Sequence, residues 1–228
     1  MDVFNNTTAM RSGAEAAEHM EAIQKNNAAI VAKRAGRYDE AIRLHSEAVQ
    51  AKVRLHGERS IHAALSFNNL GKTYLKVGRL DEAADALAKA LVVRDDKAFG
   101  GMELGPRNDA AASRDNMARV LEARGDFPGA CELRLKGADK GHTMCGCVDC
   151  VSPGGAMLSR PQLKACGACR SVFYCGPVCQ KRDWTTRHKP LCKKYMLRSS
   201  KLPTQLDLAH PLKIEEPNWD MLWVEGPS

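Results

Sequence analysis

Long apolar runs are missing from this 228-residue chain. None approaches the roughly 20 residues of a membrane-spanning helix, and with mean hydropathy at −0.39 the expectation is a protein with no membrane partner. The opening segment MDVFNNTTAM has neither a basic n-region nor an apolar h-region, so no secretory leader is read there. That points to an intracellular protein, cytoplasmic, nuclear or both, in which nine cysteines serve better as thiolate ligands than as disulfides. Aromatic residues are scarce at 5%, and all three tryptophans, Trp184, Trp219 and Trp223, come late.

Acidic residues are almost absent from one stretch. The net charge of +7 suggests nucleic acid until it is divided along the chain. Residues 1–144 carry 22 Lys+Arg against 20 Asp+Glu, residues 145–201 carry 11 against 2, and residues 202–228 carry 1 against 5. The positive charge belongs to one short segment that also holds eight of the nine cysteines. Composition breaks near residue 141. The expected organisation is an N-terminal extension (1–20), a helical repeat region (21–141), a cysteine-rich module (145–192) and a tail (193–228) that is basic, then acidic.

The string GRYDEA at Gly36–Ala41 recurs as GRLDEA at Gly78–Ala83 and, weakly, as GDFPGA at Gly125–Ala130. The periods are 42 and 47 residues. Each copy separates two Ala- and Leu-rich stretches, so the glycine marks the turn of a helical hairpin, where a left-handed residue costs least. In the second copy Phe67, Leu70, Gly71, Tyr74, Ala83, Leu87 and Ala90 alternate large and small residues at helical spacing. This stretch resembles the tetratricopeptide repeat, and its long period is similar to the repeats of kinesin light chains. The third copy is weakest, with Arg134 and Gly137 where packing residues belong, and is expected to act as a cap or to dock onto the segment after it.

The resemblance implies a peptide-binding concave surface lined by the first helix of each hairpin. Counted from the glycine turns, one first-helix position holds Asn27, Asn69 and Asn116, whose amides could pair with an extended backbone or simply cap and solvate the helices. Lys72 and Arg119, nearby, favour an acidic partner. Asn26, Ile30 and Ala112 stand where a dicarboxylate clamp needs basic residues, which argues against chaperone C-termini as ligands.

From Cys147 the spacing runs C-x2-C, 15 residues, C-x2-C, 5 residues, C-x3-C, 8 residues, H-x3-C. Two or three intervening residues let each pair reach one tetrahedral zinc at about 2.3 Å, so eight ligands need two ions. The run resembles the MYND zinc finger, and the likeness extends beyond the ligands to FYC before the third pair and CQKRDW after it. It implies interleaved ligation, with Cys147, Cys150, Cys175 and Cys179 on one structural zinc and Cys166, Cys169, His188 and Cys192 on the other. An alternative first pair through Cys145 stays open. A RING arrangement fits less well, because its histidine falls in the second pair. Between Trp184 and His188 lie three residues where the family usually has two. Cys131 reads as a small buried apolar residue.

The resemblance further implies a protein-interaction module for short, proline-containing peptides. The strand Ser171–Tyr174 could pair with such a peptide, with Gln180 and Trp184 as the pocket wall, although Trp184 could equally be the finger's core. Seven thiolates and two zinc ions lower the segment's +9 to about +6, with Arg170, Lys181 and Arg182 offsetting thiolate charge. The acidic tail, with Trp219, Met221, Leu222 and Trp223, reads as a docking segment.

No catalytic constellation is found, since closed four-ligand sites leave no position for an activated water. A SET methyltransferase domain, which accompanies some fingers of this kind, has no room here. The reading is therefore a mainly α protein, a tetratricopeptide-like hairpin solenoid followed by a small two-zinc MYND finger. It is expected to be an adaptor for other proteins rather than an enzyme, with no small-molecule substrate. The alternative is a chromatin-associated transcriptional regulator whose basic finger contacts nucleic acid.

Overall fold

A computed structural model describes residues 12–96, 107–152, 157–199 and 223–225, with only the backbone at 107, 108, 199 and 223–225. Residues 153–156 and most of the tail lie outside the described residues. The chain divides into two compact units, residues 1–120 and 121–228. The division falls upstream of the composition break near residue 141.

The first unit holds the helices α1 (Gly13–Arg34), α2 (Tyr38–His56), α3 (Ile61–Lys76), α4 (Leu80–Arg94) and most of α5 (Arg107–Arg124). Ser12 and Ser60 start α1 and α3 by accepting the amides of Glu15 and Ala63. Gly36 and Gly78 both sit at φ +78°, which makes them the hairpin turns that the repeated strings predicted. The hairpins close on alanine. Ala29, Ala41, Ala48, Ala63, Ala83 and Ala90 are fully buried, and small side chains let the helix axes approach while Leu70, Leu87 and Phe67 fill the spaces between.

Polar struts cross this core. Asn26 Oδ1 lies 2.9 Å from His45 Nδ1, Asn116 donates to Asn68 Oδ1 at 3.1 Å, and Arg94 donates to Ser113 Oγ at 2.7 Å. Ser113 donates in turn to Asn68. Each of these groups is buried, so each hydrogen bond offsets a desolvation cost.

His45 is fully buried and neutral, with its pKa pushed down to about 4 by burial first and by Lys33 and Lys72 second. A base whose folded pKa lies below its unfolded value of 6.5 contributes stability that is present above pH 6.5 and lost as pH falls towards 4. The loss is about 3 kcal/mol. Thermal unfolding across that window should therefore fall more steeply for the natural chain than for His45→Asn, and parallel slopes would sink the assignment.

The second unit begins with the last turn of α5 and continues with α6 (Phe127–Leu135). Asp126 caps α6 by accepting the amide of Gly129 at 2.9 Å. Two small sheets come next. In the first, β1 (Thr143–Met144) pairs antiparallel with β2 (Met157–Leu158). In the second, β3 (Lys164–Cys166) is central, with β4 (Phe173–Tyr174) on one side and β5 (Trp223–Glu225) on the other. Then come α7 (Pro177–Asp183), a π-helical turn at Trp184–His188 and α8 (Lys189–Ser199).

The weak third repeat is explained within this unit. Cys131 and Leu135 of α6 pack against Ala138, Leu158, Leu163, Ala165 and Phe173, and Phe127 stacks on Tyr195 of α8 with ring centroids 4.3 Å apart. Arg134, which breaks the repeat pattern, donates to Glu122 Oε1 at 2.6 Å and to the Ser171 carbonyl at 2.8 Å. Arg187 takes the other oxygen of Glu122 at 2.7 Å and forks onto Asp183, which also accepts from Tyr174 Oη at 2.8 Å. Burial alone would raise the pKa of the Glu122 carboxyl, but the two guanidinium groups outweigh it and hold the group well below the usual carboxylate range. The helix thus shares its interior with the cysteine-rich module.

Candidate metal centre

Two groups of donors converge in the second unit. Cys166, Cys169, His188 and Cys192 bring their ligand atoms within 4.8 Å of one another, and so do Cys145, Cys150, Cys175 and Cys179. Local structure places each donor. Cys166 ends β3, and Arg170 at φ +54° turns the chain after Cys169 while its amide bonds the Cys166 carbonyl at 2.8 Å. Cys175 comes directly after β4, and Cys179 lies in the first turn of α7.

The separations fit a tetrahedral ion. Zinc–sulfur bonds of about 2.3 Å put sulfurs roughly 3.8 Å apart. Cys150, Cys175 and Cys179 are 3.7, 3.5 and 3.8 Å from one another, and Cys169 lies 3.3 Å from His188 Nε2. Burial pushes the Cys169 thiol well up, with Cys166 and Cys192 adding to the effect. Packed thiolates without a cation would repel, so the donor set itself calls for a divalent ion. With four protein donors each site is closed, and zinc there supplies structure.

The π-helical turn answers the spacing anomaly. Lys189 bonds the Trp184 carbonyl five residues back, so the extra residue before His188 is absorbed as a bulge inside the helix and the imidazole still reaches the second site.

At the first site the expected member was Cys147, and the convergent sulfur is that of Cys145. Gly146 decides this. Its amide donates to the Phe173 carbonyl at 2.7 Å, two residues before Cys175, and a Cβ there would run into Val172 Cγ1. That close backbone approach seats Cys145 beside Cys175. Cys147 is buried beside Cys179 as a fifth thiol, outside the four-atom group. Spacing alone favoured the tighter C-x2-C pair and could not register the pinned glycine.

The expected peptide contacts separate into buried and more exposed positions. Trp184 is 3% exposed and belongs to the finger's core with Val172 and Tyr174, because so small a module has few other large side chains to bury. Gln180 is also buried, and its Nε2 has no hydrogen-bond partner among the described residues. Asn116 is a strut to Asn68 rather than a groove residue, while Asn69 is half-buried, 3.4 Å from Asn26 Oδ1, and Asn27 is exposed. Arg119 forks onto Asp115 at 2.7 Å. Lys33, not singled out in the sequence, has its pKa pushed down to about 8 by burial and then by Lys72 and Arg34. Lys72 is lowered in the same direction by desolvation and by Arg119. Nothing in the spacing of single residues announced that Lys33 and Lys72 share one field.

Hairpins with glycine turns and two convergent four-donor clusters define a protein built of helical repeats and a two-zinc finger. Comparison with known families agrees: residues 19–95 and 111–134 match the tetratricopeptide repeat, and residues 143–192 match the MYND finger. Among solved structures, BtubC (BKLC) from P. vanneervenii matches at 28% identity with a TM-score of 0.46. The match covers 51% of this chain and 44% of that one, so this chain spans less than half of its length. No helix among the described residues is long and apolar enough to cross a membrane.

Proposed function

We propose that the chain is a zinc-stabilised adaptor that holds an extended, proline-containing peptide on its finger and an acidic segment on its repeat groove. Both modules are of kinds that serve protein interaction, and the finer reading rests on one observation. Trp223–Glu225 pairs antiparallel with the open edge of β3, in the register Lys164 with Glu225 and Cys166 with Trp223. An extended segment of this same chain therefore uses the edge that a partner peptide would use. That edge belongs to β3, which on its other side pairs with Phe173–Tyr174, part of the strand the sequence offered for a peptide. On the repeats, Lys33 and Lys72 repel one another and would both gain from a carboxylate.

The tail is then a competitor in cis. A labelled peptide of residues 217–228 should bind the chain lacking residues 202–228 about tenfold more tightly than it binds the full chain, because a tethered strand competes at high effective concentration. Fluorescence anisotropy measures the ratio. Equal affinities for the two chains would count against the edge as the peptide site.

A further inference from the structure

The histidines outside the finger are scattered in the sequence, yet three of them meet in the repeat unit. His19 lies in the second turn of α1, His56 ends α2, and His62 opens α3. Antiparallel packing of α1 on α2 brings the start of one helix to the end of the other. The turn Gly57–Ser60 then reverses the chain so that His62 returns over His56. Gly57 takes φ +82°, and Ser60 Oγ locks the turn by donating to the Gly57 carbonyl at 2.8 Å and accepting the Ala63 amide at 3.1 Å.

We propose that His19, His56 and His62 form a third metal site, which takes a late first-row divalent cation such as zinc through three imidazole nitrogens and leaves a further position open to water. One nitrogen from each ring lies within 4.8 Å of the others. Ring centroids are separated by 4.9 Å for His19 and His56, 5.1 Å for His19 and His62, and 4.4 Å for His56 and His62. An all-imidazole set suits zinc, nickel or copper and is foreign to calcium and magnesium, which take oxygen ligands.

The fit calls for one small movement. His19 Nδ1 and His56 Nε2 stand 2.8 Å apart, a hydrogen-bond distance, whereas zinc bonds of about 2.0–2.1 Å put two nitrogens roughly 3.3–3.4 Å apart. Parting the two rings by about half an ångström exchanges one hydrogen bond for two metal bonds. Burial holds all three imidazoles below their ordinary pKa, with Lys52 acting in the same direction on each, which favours the neutral rings that bind metal. Among the described residues, Lys52 opposes a cation at all three rings and Glu15 favours one at His56. His56 Nδ1 is buried without a hydrogen-bond partner among the described residues. A bound ion would clip the first hairpin to the start of the second. The site is independent of the finger and of the adaptor reading.

Full-length protein with its finger loaded should be dialysed against micromolar free zinc and analysed for metal. Three zinc ions per chain are expected, falling to two in the His19→Ala, His56→Ala, His62→Ala variant. Should that variant lose helicity, His62→Ala alone and nitrogen-15 spectra of the natural chain's imidazoles take its place. Zinc should then shift the signals of His19, His56 and His62 while His45 stays still. Two zinc ions in the natural chain, a third ion retained without the histidines, or unmoved imidazole signals would each overturn the proposal.

Discussion

Removing zinc from the full chain with a chelator is expected to unfold the finger and to take helix Phe127–Leu135 with it, while α1–α4 keep their helicity. The finger's interior is built largely of cysteines, since the ligands Cys145, Cys166, Cys179 and Cys192 together with Cys147 make up most of the buried cluster around Val172, Tyr174 and Trp184. Its strands are two or three residues long, too short to stand without the metal. Structural zinc contributes about 10–16 kcal/mol per ion in small fingers, as much as the whole stability of an ordinary domain. Because the ligand pairs interleave, Cys175→Ser should loosen the second site along with the first. Helix α6 is lost too because Phe127 stacks on Tyr195 and Leu135 packs on the finger's sheet. Tyrosine fluorescence, far-ultraviolet circular dichroism and limited proteolysis after chelation read the event, and a protease-resistant α6 in the metal-free protein would refute the coupling. Serine variants of Cys145 and Cys147 also separate the two candidates at the first site. Geometry names Cys145, so Cys147→Ser should retain two finger-bound zinc ions and Cys145→Ser should not.

Replacing Glu122 by alanine should be the most damaging single change outside the ligands, at about 3–5 kcal/mol. The side chain is fully buried and faces Arg134 and Arg187 at 2.6 and 2.7 Å. Removing it leaves two desolvated guanidinium groups facing each other across a vacated space. Asp183 still answers the charge of Arg187, whereas Ser171, which stays bonded to Arg134, is neutral. Glu122→Gln keeps the shape and loses the charge, so it should fall between the two. Changing Glu122 and Arg134 together to methionine should recover much of the loss, as apolar replacement of a buried pair commonly does. Urea midpoints of the four proteins test this set, and a Glu122→Ala loss below about 1 kcal/mol would show that water reaches the network. Protonating Glu122 has the same sense. Its stability is present above the ordinary carboxylate pKa of 4.5 and is lost only as pH falls well below it.

Much of the architecture was legible because it depends on local chemistry. The strings GRYDEA and GRLDEA announced hairpin turns, and Gly36, Gly78 and Gly125 all take positive φ. Alanine at the inward positions of the helices marked the close packing. Cysteine and histidine spacing announced two four-donor sites, since ligand pairs a few residues apart must face one ion whatever surrounds them. The weak third repeat was visible as a defect, with Arg134 where an apolar residue was due.

The sequence by itself thus determined the kinds of module, their order, the number of metal sites in the finger and seven of the eight convergent donors. Only tertiary structure decided the remainder, because each remaining point turns on atoms far apart in the chain. Cys145 joins the first cluster through the amide of Gly146 and the carbonyl of Phe173. Arg134 proves to be one end of a buried charge network reaching Glu122, Ser171 and Arg187, which explains why the third repeat could abandon its pattern. Asn116 and Trp184, polar or amphipathic enough to suggest a binding surface, are interior because a neighbouring helix or the finger's own sheet covers them. The three histidines at 19, 56 and 62 form a cluster only after two helices pack and one turn closes. Spacing along the chain encodes contacts within a turn or two, whereas contacts between elements depend on how faces of different elements meet.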